Sequence, residues 1–305
     1  MFQIEHMSMT LIYRWLVGLA SILCLSMAQG QSTDTNCPLA TKSIAIDAGS
    51  ISYLQGGQGP SILLLHGLFG QKGQWMDMAC ALANQGFNVI VPDLPGYGQS
   101  TAYPIAIYQL ESQVTTLQRF MRSVSGKPFH IAGNSMGGAI ASLYANQYPQ
   151  EIKSLAFIGA PLGIIAWGDQ VRDSIYQGVN PFIPIDQAQL DLEMDLLFAK
   201  PPVISDDIKT QLLQEYRNNN RHYQQVWNIV NFYGNTLNRL PNQSLPTCIL
   251  WGEHDEIFSI SGLSILKKKF PHSQSHRLAN AGHLVMLEQP VKISDLYTSF
   301  LKNSQ

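Results

Sequence analysis

The chain has 305 residues, 45% of them hydrophobic and only 13% charged, with a formal net charge of −2. That balance allows a sizeable core, in one large α/β domain with an insertion or in two modest domains. It excludes a disordered chain and offers no basic face for nucleic acid.

The N-terminus differs from the rest. From Trp15 to Ala28 the sequence WLVGLASILCLSMA is almost wholly apolar, preceded by Arg14 and followed by the polar QGQSTDTN. An apolar run of this length suits the core of a signal peptide and falls short of the roughly 20 residues of a bilayer span. Ser26 and Ala28 supply the small residues of a cleavage site. Residues 1–28 are therefore read as an export signal, which makes the protein periplasmic or secreted, with a retained membrane anchor as the alternative. Removal of the signal leaves Cys37, Cys80 and Cys248. Cys80 in a helical pattern and Cys248 in the run TCILW read as buried small apolar residues. Three is an odd number, so no disulfide framework follows, and one bridge involving Cys37 is left open. There is no C-x-x-C and no cluster of His and Cys to suggest a metal site, and the serine chemistry read below needs no metal or organic cofactor.

Strands and helices then alternate. SIAIDA (43–48) and ISYLQ (51–55) flank a Gly-Ser turn and read as an antiparallel hairpin. SILLLH (61–66) is a continuous apolar run, suited to a strand buried on both faces. A helix ending at Gly86, the strand FNVIVPD, the loop DLPGYGQS and a helical stretch from about Ile107 to Val124 follow. FHIAG (129–133) is the next strand, then a helix opened by Ser135, then the strand SLAFIGA (154–160). Such alternation implies right-handed crossovers and a parallel sheet covered on both sides. From 161 to 245 the pattern turns helical, in 185–200, 206–220 and 221–234, and it is rich in Leu, Met and aromatics. An insertion of this kind would lie above the C-terminal edge of the sheet, where such folds bind ligands. Its apolar stripes read equally as packing and as substrate lining. The strand TCILWG, a helix after Ile260, the strand SQSHRL and a helix from Pro290 complete the chain. The segments 43–160 and 246–305 are thus two parts of one core, with 161–245 as a helical cap.

The chemistry concentrates at the ends of strands. In HIAGNSMGGAIASLYA (130–145), Ser135 follows a strand and opens a helix between glycines. G-x-S-x-G alone arises by chance in about one chain in ten of this length, so the reading depends on partners. A serine hydroxyl needs a base, the base needs an acid that holds its tautomer, and the developing oxyanion needs donors. The backbone N–H of Met136, at the helix N-terminus, is one candidate donor. Leu68 N–H in the loop HGLFG (66–70) is the other. His66 in that loop reads as a structural hydrogen-bonder. After TCIL, the segment WGEHDEIF offers Glu253, Asp255 and Glu256, and Asp255 is preferred because a turn four residues past Trp251 can aim it. After the last strand, NAGHLVMLEQP offers His283. The order Ser135, Asp255, His283 is that of a nucleophile-elbow hydrolase.

With LLLHGLFG, VPDLPGYGQS, GNSMGG, WGEHDEIF and NAGHLVMLEQP in this order, the chain from about residue 43 onward resembles the α/β-hydrolase fold family. The resemblance implies a mostly parallel eight-stranded sheet with helices on both faces and an inserted helical cap. It also implies structural roles for Asp93, Pro95, Gly96, Gly98, Glu288 and Pro290. The export segment and long cap resemble bacterial lipases and the monoacylglycerol lipase group. The expected activity is cleavage of carboxylic esters, acylglycerols or other apolar acyl esters, through an acyl-enzyme on Ser135. The expected partner is a small ester or lipid, with association to a lipid surface and no nucleic acid. GNSMGGA also resembles the hydrolases that cut carbon–carbon bonds of ring-fission products with a cap arginine, for which Arg172, Arg217, Arg221 and Arg239 are candidates. A catalytically silent binding module is a third reading.

Overall fold

The computed structural model describes residues 37–304 except 233–237, 239 and 242. The export segment read at 1–28 and Arg239 lie outside the described residues. Eight strands form one sheet: β1 (Ala40–Ile46), β2 (Gly49–Gly56), β3 (Ser61–Leu65), β4 (Asn88–Pro92), β5 (Phe129–Ser135), β6 (Ile152–Pro161), β7 (Thr247–Gly252) and β8 (Ser273–Leu278). Their spatial order is β1-β2-β4-β3-β5-β6-β7-β8. Only the pairings of β2, with β1 and with β4, are antiparallel; β4 through β8 run parallel.

The inner strands β3, β4 and β7 read as nearly unbroken apolar runs because both faces are covered. Leu63 and Leu65 of β3 point into one core with Ile131, Phe157, Ile249 and Trp251. Ile62 and Leu64 point into the other with Ala156, Ile158, Cys248 and Leu250. Alternation with a period of two delivers successive side chains to opposite faces, so neither register can be polar. Helices α1 (Met76–Asn84) and α10 (Pro290–Asn303) close the second face with Met78, Leu82, Ile293 and Tyr297. Helices α2 (Leu110–Val124), α3 (Met136–Gln147) and α8 (Leu263–Lys269) close the first with Val114, Leu117, Ile140 and Leu266.

Between β6 and β7 the chain forms α4 (Asp169–Tyr176), α5 (Gln187–Leu197), α6 (Asp206–Asn218) and α7 (Asn220–Phe232). Helix α5 is capped by Asp186, which accepts from Gln189 N, and α6 by Ser205, which accepts from Ile208 N. Sequence reading passed over α4, whose eight residues DQVRDSIY are mostly polar and bury only Val171 and Ser174. It also passed over the four-residue α9 (Val285–Glu288), too short to show a period. Among the described residues no helix is long and apolar enough to cross a membrane.

Two expectations are corrected. The hairpin turns at Asp47 and Ala48, not at the Gly-Ser pair, since Ile46 pairs with Gly49 and Ser50 with Ala45. Asp47 takes the left-handed φ of 57°, which Asp tolerates better than most residues. Cys80 is not a free apolar filler but is bonded to Cys37, with Cα atoms 5.1 Å apart. Its place on the outer side of α1 meets the chain entering β1, a proximity that helical periodicity does not encode. Across a separation of 43 residues, such a bridge lowers unfolded-chain entropy by about 4 kcal/mol. Cys248 is free and buried in β7, as read.

Candidate active site

The turn after β5 and the loops after β3, β4, β7 and β8 converge at the C-terminal end of the parallel strands, where such sheets open a crevice. Strand β5 passes into α3 with no loop between, and Ser135 makes the turn at φ 52° and ψ −116°. A non-glycine residue in this region is strained and persists only where its surroundings hold it. Leu162 N donates to Ser135 O at 3.0 Å. Two glycines make the turn sterically feasible: a Cβ on Gly133 would stand 2.2 Å from the Gly137 carbonyl carbon, and one on Gly137 would stand 2.2 Å from Leu65 O. The Ser135 side chain is thereby lifted to the mouth of a cleft of ≈ 750 Å³, open space at its mouth included, which His283 also lines.

His283 is almost wholly buried, and its Nδ1 lies 2.9 Å from Asp255 Oδ2. A carboxylate can only accept here, so Nδ1 carries the proton and Nε2 is left as an acceptor. Asp255 is held by three further donors. Trp251 Nε1 reaches Oδ2 at 2.9 Å, and the amides of Ile257 and Phe258 each reach Oδ1 at 3.0 Å. The neighbouring acids turn outward: Glu253 pairs with Arg277 at 3.2 Å, and Glu256 is exposed. The structure thus brings Asp255, and not its two neighbours, to His283.

The backbone of His283 is tied on three sides. Its N–H donates to Leu197 O at 3.0 Å, and its carbonyl accepts from Asn134 Nδ2 at 3.1 Å. Glu288 accepts from Gly282 N at 2.6 Å and from Ala199 N at 2.9 Å, joining the His283 loop to the end of α5. Asn134 also donates to Ile158 O at 2.7 Å. Sequence reading missed Asn134 as a tether. Its partners lie 24 and 149 residues away, and its only local signal was adjacency to Ser135.

The loop after β3 carries Leu68 into the cleft wall, with Phe69 in the left-handed region at φ 57°. Beneath it, His66 is fully buried and donates from Nδ1 to Gly67 O at 2.8 Å, while Nε2 accepts from Leu94 N at 2.9 Å. Both ring nitrogens are thus used by the neutral form. Burial, only partly offset by Asp93, pushes the ring's pKa down to about 4. Asp93 braces the same loop, accepting from Lys72 N at 2.7 Å, Lys72 Nζ at 2.6 Å and Gln99 N at 2.8 Å. Met136 opens α3, which places its N–H at the positive end of the helix dipole.

The cleft wall is largely aromatic. Trp167 stacks on Phe258 at 4.7 Å between ring centroids and on Trp227 at 5.8 Å, and Phe182 stacks on Trp227 at 5.3 Å. Trp167, Phe182 and Trp227 face the cleft together with Leu162, Leu284 and Leu287. Met194, by contrast, is buried in the core. The inserted segment therefore turns some of its apolar residues to the cleft, Trp227 and Leu197 of its helices among them, and packs others into the core. Among the described residues no group of His, Cys, Asp and Glu could hold a metal ion.

A model of the alpha/beta hydrolase fold family matches residues 60–290. The chain belongs to that family. Lipase 1 of Psychrobacter immobilis is 28% identical over 271 residues, covering 86% of this chain and 84% of that protein. The monoacylglycerol lipase abhd6-B of Xenopus laevis is 29% identical over 262 residues, covering 82% and 77%. The crystal structure of a membrane phospholipase A, described as a bacterial virulence factor, superposes with a TM-score of 0.82 at 27% identity, covering 97% of this chain and 95% of that one. This α/β hydrolase is therefore related to lipases and monoacylglycerol lipases.

Proposed function

We propose that the protein is a serine hydrolase of carboxylic esters with apolar acyl groups, acylglycerols foremost. One observation carries the reading: the Nδ1–Oδ2 contact of His283 with Asp255 at the cleft into which the strained turn lifts Ser135. With Nδ1 protonated and held by Asp255, His283 Nε2 takes the Ser135 proton as Oγ attacks the ester carbonyl. The amides of Leu68 and Met136 hold the tetrahedral oxyanion, aided by the N-terminus of α3. The intermediate collapses as the imidazolium gives its proton to the leaving alcohol. Water then attacks the acyl-enzyme, deprotonated by the same ring, and releases the acid. The aromatic wall suits an acyl chain, and lipases among the relatives point the same way.

Ring-fission hydrolysis would need a cation facing an acidic substrate. Arg172 pairs at the surface with Asp169, Arg217 donates to Ile185 O and is exposed, and Arg221 is exposed. None of the three lines the cleft. The disulfide supports export, because such bonds persist in oxidising compartments.

A rate panel of glycerol esters, simple esters and a ring-fission diketone acid tests the reaction class. Ester turnover should exceed diketone cleavage, and Ser135→Ala should lower kcat by about 10³-fold or more. Unchanged ester hydrolysis in Ser135→Ala would sink the mechanism. A fluorophosphonate should label wild-type protein and not Ser135→Ala; no labelling of wild type would favour the silent module.

A further inference from the structure

The aromatic cleft contains three polar side chains that the proposed reaction does not use. Glu193 of α5, Tyr216 of α6 and Gln74, in the 3₁₀ turn that precedes α1, all line it beside Ser135. All three are more than nine-tenths buried. Tyr216 donates its hydroxyl to Glu193 Oε1 at 3.1 Å. The second carboxyl oxygen, Oε2, is buried without a partner, and so is Gln74 Oε1.

Two buried polar atoms without partners, in one cleft, call for a cause. Each such atom costs about 1–3 kcal/mol when left unpaired, and packing alone would be better served by leucine or methionine. Burial pushes the Glu193 carboxyl up to about 8, against a smaller opposing effect of the Tyr216 hydrogen bond. At neutral pH the group is mostly a carboxylic acid, which can donate. The cleft therefore presents a neutral acid able to give a hydrogen bond and an amide oxygen able to take one. An aliphatic hydroxyl, both donor and acceptor, can pair with either kind of group. A carboxylate or phosphate on the ligand would leave the Gln74 oxygen facing negative charge. An all-hydrocarbon ligand would leave both atoms unpaired.

The geometry points to a hydroxyl-recognising subsite formed by Glu193, Tyr216 and Gln74, which selects esters carrying free aliphatic hydroxyls, such as the glycerol end of a monoacylglycerol, over simple alkyl esters. It rests on the ester-hydrolase reading for the position of the ester, and it adds a specificity that the reaction chemistry does not require. Glu193 and Gln74 meet the substrate hydroxyls directly. Tyr216 acts as a positioning residue by holding the carboxyl through Oε1.

The test compares monooctanoylglycerol with methyl octanoate, which share the acyl chain and differ in the hydroxyls. The ratio of their kcat/KM values should favour the glycerol ester in wild type. It should fall about tenfold in Glu193→Leu, the loss expected for a hydrogen bond to a buried neutral group. It should stay within about threefold in Glu193→Gln, which keeps a neutral donor in place. Tyr216→Phe should lower it by a smaller factor, through a loosened carboxyl. A methyl ester of a hydroxylated octanoic acid tells on which side of the ester the hydroxyl is read: a Glu193-dependent preference for it alone places the recognition on the acyl chain and keeps the subsite. Equal losses on all three esters in Glu193→Leu would mean that the carboxyl only supports the fold, and would overturn the subsite. Should wild type hydrolyse none of them, the ester reading fails by itself. Titration calorimetry of Ser135→Ala with monooctanoylglycerol, with and without Glu193→Leu, then decides the subsite by binding. Equal affinity in the two proteins would overturn it.

Discussion

Two buried carboxyls face the same end of the molecule and are treated in opposite ways. Asp255, in the loop after β7, accepts four hydrogen bonds on its two oxygens. Glu193, on the inserted helix α5, accepts one and leaves its other oxygen without a partner. Asp255 is saturated, as suits a group proposed to orient a base, since such a group must not move during reaction. In the wall supplied by the inserted helices, Glu193 keeps one polar atom in reserve, which the proposed subsite would offer to a substrate hydroxyl. On that proposal, saturation goes with the chemistry and the unpaired atom with the choice of substrate.

The contrast can be broken first at Asp255. Asp255→Asn places an amide against His283 Nδ1 and favours the wrong tautomer, so kcat should fall about 10⁴-fold with little change in KM. A kcat within tenfold of wild type would show that the pair does not serve the base. Trp251→Phe withdraws one of the four donors and leaves the rest. About a tenfold loss of kcat and a loss of about 1–3 kcal/mol in unfolding free energy should follow, read from steady-state rates and urea melts. An unaltered kcat would mean that the Trp251 hydrogen bond adds nothing to the hold on the carboxylate.

The effect at Glu193 leaves the chemistry alone and appears as a slope of stability with pH. Its carboxyl titrates near 4.5 ordinarily and at about 8 in the folded protein. Below the lower value both states hold the proton, and the stabilisation is fully present. As pH rises, the unfolded chain releases its proton first, so stability is lost progressively until the folded protein deprotonates as well. Tyr216, the group in direct contact, is pushed well above 10 by burial and stays neutral through this window. The wild-type unfolding free energy should therefore fall, relative to Glu193→Gln, by at most about 1.4 kcal/mol per pH unit across that window. Parallel stability–pH curves for the two proteins would show that the carboxyl is not held neutral.

The particular residues show why some features were legible and others hidden. Ser135 stood out because its turn needs Gly133 and Gly137 within two positions on either side, a requirement written locally. The inner strands β3, β4 and β7 were readable because burial on both faces makes their runs nearly continuously apolar. Helix α4 was not, since eight mostly polar residues are too few for an amphipathic period to stand out. The pairing of Cys37 with Cys80, the Asn134 bond to the His283 carbonyl and the unpaired Glu193 oxygen join residues that no spacing rule connects.

The sequence by itself determined the order of the strands and of the longer helices, the elbow at Ser135 and the short candidate sets from which an acid and a base could come. Turn sterics and hydrophobic periodicity act over a few residues, and so they are visible there. Only the tertiary structure decided that Asp255 and not Glu253 meets His283, that Cys80 is bonded, and that Glu193 sits half-satisfied among aromatic rings. Those outcomes depend on where distant segments come to rest after packing, which is set by the whole core and by no local pattern.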